Sequence, residues 1–364
     1  MKNNLVYLII SIILLIGIIP SCVEPITPPE TEYETVLVNS DITSVSTWTE
    51  GNIYVINKSD FYIEAELSIA AGVIVKLPSN YPFITLGGNG KIIAQGTAQK
   101  PIIFTSYKDD SKGGDTNADE ESTTPSRGSW GTIDLNGKDG SVFEHCEFYY
   151  GGMGSSPEPT LSLSAGSQAN IEYCTFAHNA GGEANGYYYG ALDAKDAQNS
   201  SLIRGTKFYD NGLPLTLFAE IDTDASNTFF VNGTGNDMNG IFVSGSIGKN
   251  TNWQETEVAY VVTGFDMVIY DGYRLLLSDN TTIKFSSGSR FNLTGGVSAL
   301  ENYQGEGVSY TSIKDDSKKG DTNGDGSVTT AAQADWEGVF LDDYKGGYAN
   351  WPNIYFNNPN ATVK

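Results

Sequence analysis

Residues 143–152 read FEHCEFYYGG, residues 171–182 read IEYCTFAHNAGG and residues 203–212 read IRGTKFYDNG. In each, an apolar Phe143, Ile171 or Ile203 is followed at plus three by Cys146, Cys174 or Thr206, and at plus five by Phe148, Phe176 or Phe208. A fourth, degenerate copy, TFFVNG, carries Phe229 and Asn232. The copies recur after 28, 32 and 21 residues. Such irregular spacing is expected when a short strand set is fixed and its loops vary, because stacked strands must keep inward residues in register while insertions loop out. Asn179, Asn211 and Asn232 suit a turn position, where Asn tolerates left-handed backbone and its amide meets the Asn of the next rung. A coil of parallel strands is the expectation.

A longer duplication encloses these rungs. Residues 105–135, TSYKDDSKGGDTNADEESTTPSRGSWGTIDL, match residues 311–341, TSIKDDSKKGDTNGDGSVTTAAQADWEGVFL, at an offset of 206 without a gap. Upstream, WTEGNIYVI from Trp48 pairs more weakly with WQETEVAYV from Trp253. LSIAAGVIVKLPSNYPFITLGG then resembles LLLSDNTTIKFSSGSRFNLTGG, both alternating apolar and polar with Gly at the turns, which is strand patterning.

The phrases GNGKIIAQGTAQKPIIFTS, SWGTIDL and VFEHCEFYYGG, in that order, resemble the right-handed parallel β-helix lipoproteins of Bacteroidota-type bacteria. The resemblance spans nearly all of the chain after its leader. It implies an all-β, right-handed parallel β-helix with long Asp-rich loop insertions and a cell-envelope location, and it carries no catalytic residues. The expected layout is a leader over 1–21, a tether over 22–34 and a β-helix over 35–364. That β-helix is either one solenoid or two related units, 35–250 and 251–364.

The first residues give Lys2, an apolar run from Leu5 to Ile19, then Pro20-Ser21-Cys22. This is the order of a secretory signal peptide rather than a membrane span. Ile19-Pro20-Ser21-Cys22 resembles a lipobox, which implies cleavage before Cys22 and a covalent lipid on its thiol. VEPITPPETEYE behind it is rich in proline and glutamate and reads as an extended spacer. The sequence thus implies an exported, lipid-anchored protein, expected at the outer membrane on its periplasmic or surface side and touching the membrane only through the anchor.

Forty-four acidic against 21 basic residues give a formal charge of −23. Nucleic acid and anionic membrane surfaces need clustered Lys and Arg, so both are set aside. Excess carboxylate suits solubility or a bound hard cation such as calcium. Only Cys146 and Cys174 remain after Cys22, too few for a disulfide framework. Their equivalent rung positions bring the backbones close, but parallel stacked side chains rarely present the dihedral a bridge needs, so two buried thiols are expected.

Asp321-Thr322-Asn323-Gly324-Asp325-Gly326 reproduces the first half of an EF-hand-type loop, with oxygen side chains at positions one, three and five and Gly at six. Position twelve is Ala332, so a helix-flanked form is not expected. Asp315, Asp316 and Asp335 are available to complete a structural calcium site, and the first copy offers Asp109, Asp110, Asp115, Asn117 and Asp119, with Glu120 in place of Gly326. Against this stands a solvated acidic turn.

Tyr149 and Tyr150 precede a Gly-rich loop, and Tyr187, Tyr188 and Tyr189 sit between glycines. Aromatics on a rigid rung are platforms for sugar rings; the competing outcome is that they fold back onto the solenoid. Enzymatic chemistry has little support. Arg204 and Lys207, with Asp193, Asp196, Asp222 and Asp224 nearby, nominally supply a lyase base or paired carboxylates, but nothing fixes them as a set. His145 and His178 read as strand-edge residues, and no nucleophile triad, phosphate loop or zinc spacing occurs. No catalytic residue is assigned. The expectation is a non-enzymatic envelope protein binding a glycan or a protein partner, as in adhesion; the alternative is a polysaccharide lyase or glycoside hydrolase acting on acidic polysaccharide.

Overall fold

The computed structural model describes residues 33–78, 83–342 and 346–360. The leader, Cys22 and nearly all of the tether lie outside the described residues. From Tyr33 the chain coils through three faces. Strands Asp60–Ile63, Glu66–Ile69 and Ile74–Leu77 follow one another on faces B, C and A, and Phe83–Leu86 returns to face B. Face A has seven strands, from Glu34–Val38 to Lys207–Tyr209; face C has six, from Ser46–Trp48 to Leu202–Arg204. Face B has ten, from Asp60–Ile63 to Ser309–Ser312, so one sheet passes through both halves of the duplication. Two three-stranded sheets accompany it in the second half. The pairs within these sheets are parallel, with the register Phe143↔Ile171↔Ile203 on face C and Phe148↔Phe176↔Phe208 on face A. The structure is the all-β parallel β-helix that the repeats imply.

The plus-three and plus-five spacing has a backbone cause. His145, Tyr173 and Gly205, at φ 47°, 55° and 62°, each supply the left-handed residue of the short bend between a face C strand and a face A strand. A left-handed residue there turns the chain and resets the alternation, so that Phe143 and Cys146 both point inward although they are three apart. For His145 and Tyr173 the bend costs on the order of 1 kcal/mol each. At Gly205 a Cβ would stand 2.5 Å from the Tyr173 ring. The histidine read as a strand-edge residue is therefore the corner itself.

Burial offsets that strain. The rings of Phe104, Phe148, Phe176, Phe208 and Phe229 stack through consecutive coils, with centroids 4.9, 4.6, 5.4 and 5.3 Å apart. Such pairs contribute roughly 0.5–1.5 kcal/mol each beyond the area they bury. Cys146 and Cys174 are buried free thiols in this core, as expected. Burial and the neighbouring Cys174 push the Cys146 thiol well up.

An asparagine ladder runs beside the phenylalanines, but not quite as the sequence suggested. Asn179 donates to Asn211 at 3.0 Å, and Asn211 donates to Asn236 at 2.8 Å. The next step is thus Asn236, not Asn232. Asn232 keeps the left-handed turn, at φ 52°. Nor are Asn179 and Asn211 the left-handed residues: His178 and Asp210, immediately before them, take φ 57° and 51°. The amides instead satisfy backbone, with Asn179 and Asn211 Nδ2 donating to the carbonyls of Phe148 and Phe176, each at 2.9 Å.

The duplication repeats in hydrogen bonds. Tyr54 Oη accepts from Thr49 N–H and Tyr260 Oη from Glu255 N–H; Trp130 donates to Tyr149 O and Trp336 to Tyr355 O. The two copies lie on different sheets. Ile74–Leu77 and Ile102–Ser106 belong to face A, whereas their counterparts Thr282–Phe285 and Ser309–Ser312 belong to face B. Residues 346–358 then fold over the last strands: Tyr310 and Trp336 bridge to Ile354 and Asn357, and Trp351 lies against Tyr303 with ring centroids 4.3 Å apart.

Candidate functional site: two acidic loops and a tyrosine-walled cleft

Each Asp-rich loop is anchored by a lysine. Lys76 Nζ donates to Gly114 O at 2.6 Å, and Lys284 Nζ donates to Gly320 O at 2.6 Å and to the Thr322 hydroxyl at 3.0 Å. Burial lowers both ammonium groups, Lys284 to about 8, while the carboxylates facing them work the other way. Asp109 and Asp315 are committed to the solenoid: Thr105 and Ser111 donate to Asp109, and Thr311 and Ser317 donate to Asp315, at 2.5–2.6 Å. Asp335 is similarly occupied by Ser312, Lys314 and the Ala332 N–H. Those three carboxylates are structural anchors.

The remaining candidates converge. Carboxylate oxygens of Asp110, Asp115 and Asp119 lie within 4.8 Å of one another. Burial and the Asp115 carboxylate raise Asp110; burial and Asp321 raise Asp316. In both copies the same two oxygens, Oδ1 of Asp110 or Asp316 and Oδ1 of Asn117 or Asn323, are buried without a hydrogen-bond partner. Buried acceptors left unpaired next to like charges are costly, and a hard cation bound by oxygen would satisfy them. The donor set therefore fits calcium, formed by Asp110, Asp115, Asn117 and Asp119, with Asp316, Asp321, Asn323 and Asp325 as the second copy. The closer triple occurs in the first copy, where Ala118 and Glu120 adopt left-handed φ of 55° at positions that are Gly324 and Gly326 in the second. The sequence favoured the second loop for its glycines, yet the first bends without them.

The tyrosines divide into two groups. Residues Gly182–Ala184 and Tyr187–Tyr189 pair antiparallel around Asn185-Gly186, whose φ of 55° and 82° are those of a two-residue Asn-Gly hairpin turn. This hairpin is inserted between solenoid strands and rejoins face B at Gly190, where a Cβ would stand 2.5 Å from Leu192 O and 2.6 Å from Thr216 N. Only glycine permits that approach. Tyr187 is 66% exposed. Tyr188 instead packs on Phe242, centroids 4.7 Å apart, and Tyr189 lies under Lys195 Nζ at 4.4 Å.

Tyr187, Tyr188 and Phe242 wall a cleft of about 380 Å³ on the outer surface of face B, with Thr216, Ser244 and Thr263 supplying hydroxyls. Phe242 belongs to a small apolar cluster with Met238 and Ile313, against which Tyr188 packs. Ile313 opens the second Asp-rich loop, and Asn239 N–H donates to Asp321 O at 3.1 Å. That loop thus supports the wall of the cleft. The Asn-Gly turn was the available signal for this hairpin, whereas nothing local in the sequence brings Thr216, Phe242 and Thr263 together.

Tyr149 and Tyr150 do not join that cleft. The Tyr149 hydroxyl donates to Glu147 at 3.0 Å, and Tyr150 stacks on His178 at 5.5 Å, which is held by Asp210. Asp210 and Asp237 both pair with Arg127, and these contacts fold the two tyrosines back onto the solenoid. Arg204 pairs with Glu172, and Asp222 pairs with Lys249. A second cleft, of about 270 Å³, lies at the corner of faces C and A and gathers His145, Glu147, Tyr173 and Lys207; Arg204, Asp193 and Asp196 are not among its lining residues.

No curated protein and no solved structure matches the chain. One family model, described as a pectate-lyase-like β-helix domain, matches residues 40–191, less than half of the 364-residue chain, and agrees with the parallel β-helix seen throughout the described residues.

Proposed function

We propose that this is a non-enzymatic, lipid-anchored envelope protein that binds glycan in the hairpin cleft of a β-helix whose Asp-rich loops hold structural calcium. The carrying observation is the cleft itself, lined by the exposed Tyr187, by the packed Tyr188–Phe242 pair and by the Ser244 and Thr263 side chains. Such a cleft offers a sugar both a stacking face and hydrogen-bond partners. The match to a pectate-lyase-like β-helix domain fits a glycan-related role. The lipobox supports anchoring at Cys22, and the unpartnered oxygens support the metal. Binding to a glycan array that is lost in Phe242→Ala tests the reading. An empty array, together with specific capture of an envelope protein, would replace it with protein adhesion.

A lyase or hydrolase acting on acidic polysaccharide is the second reading, favoured by Glu147, His145 and Lys207 sharing the corner cleft. Unsaturated product or new reducing ends from polygalacturonate, absent in Lys207→Ala, would establish it.

A further inference from the structure

The hairpin cleft contains one cation among its lining residues, Lys195. That ammonium is engaged. It pairs with Asp193, which is 6% exposed and also accepts the Thr216 hydroxyl at 2.6 Å, and it donates to Tyr188 O at 3.4 Å. A ligand carboxylate that recruited Lys195 would strip a buried Asp193 of its counter-charge, and an unpaired buried carboxylate is strongly destabilising. Asp196 also lines the cleft, and Glu158 is close enough to feel both Lys195 and Asp193. Locally, then, one cation stands against three carboxylates. The formal charge of −23 on the whole chain adds a repulsive field for any polyanion that approaches.

From this we infer that the cleft selects a neutral glycan and rejects uronic-acid chains, although polyuronate is the substrate class that a pectate-lyase-like scaffold brings to mind. The inference rests on the glycan-binding reading above and narrows it. Tyr187 supplies the stacking surface and Ser244 and Thr263 meet ring hydroxyls, while the buried Thr216 hydroxyl stays on Asp193. Asp196 acts as the element that excludes carboxylates. A volume of about 380 Å³ lies toward the small end of ligand pockets, roughly 300–1,000 Å³, which matches a short segment of a chain.

The test is calorimetry on the purified protein with cellohexaose, xylohexaose, mannohexaose and hexagalacturonate, at low and high salt, with calcium and with chelator. The expected result is binding of at least one neutral oligosaccharide, insensitive to salt, and weakened roughly tenfold by Tyr187→Ala, the loss of about one stacking contact. Asp196→Asn is expected to raise the response to hexagalacturonate relative to that of the neutral oligosaccharides. Binding of hexagalacturonate alone, whether or not calcium is needed, would overturn the neutral preference and leave glycan binding standing. Failure of all four sugars in protein shown to be folded would overturn both.

Discussion

The side-chain amide of Asn179 donates to Oδ1 of Asn211 at 3.0 Å, and the same Oδ1 accepts the backbone N–H of Asn179 at 3.1 Å. One oxygen therefore serves two donors of the coil below it. Asn211 passes its own amide on to Asn236 and to the carbonyl of Phe176.

Removing Asn211 leaves several buried groups without partners, each costing about 1–3 kcal/mol. Asn211→Ala is expected to lower the unfolding free energy in urea by roughly 2–4 kcal/mol. Asn232→Ala, outside the ladder, should cost only the roughly 1 kcal/mol of placing Ala at a left-handed φ. Equal effects from the two variants would show that the ladder is not a source of stability.

Calcium should raise the melting temperature, because a ligand that binds only the folded state adds about 2.7 kcal/mol at a hundredfold excess over its dissociation constant. Asp110→Asn removes the carboxylate that burial and Asp115 already disfavour. In chelator that variant should be at least as stable as wild type, and calcium should shift it less. A wild-type melt indifferent to calcium would reduce both loops to lysine-anchored turns.

Glu255 is 2% exposed and its Oε2 has no partner. Burial pushes its carboxyl from 4.5 up to about 7. The folded chain holds this proton more tightly than the unfolded chain, so the folded state binds more protons between those values. Stability from this group is full below about pH 4.5 and falls as pH rises to about 7. Beyond that it is level, the loss being on the order of 3 kcal/mol. Urea unfolding of Glu255→Gln across that window should show a flatter profile than wild type; parallel profiles would place the pH dependence elsewhere.

Cys146 and Cys174 are buried in the core and free. Neither should react with a water-soluble thiol reagent until the protein is unfolded, when both should titrate. Rapid labelling of the native protein would mean that these rungs open locally.

The fold was legible because its cause is local and repeated. Inward Phe148, Phe176 and Phe208 must stack, and their spacing survives loops of any length between them. The Asp-rich loops were legible as duplicated text, but their division of labour was not. Which carboxylate turns inward depends on Thr105 and Thr311, and which acceptor lacks a partner depends on the packed loop. The ladder step at Asn236 was hidden by an intervening turn, with Val231 and Thr234 bridged around Asn232. The cleft was least legible, because its wall joins a hairpin at 182–189 to strands that follow tens of residues later. Asn185-Gly186 announced the hairpin; only the register Thr216↔Phe242 places its opposite wall.

The folded-over tail at residues 346–358 has a consequence for how copies of this protein meet. A stack of parallel strands ends in a row of free amides and carbonyls, and such a row recruits the same row from another molecule, the first step of fibre growth. Here Tyr310 N–H donates to Asn353 O, Tyr355 N–H to Tyr310 O, and Asn358 N–H to Trp336 O. With those groups engaged and Trp351 packed over the last ring, this end is a poor template for end-to-end polymerisation.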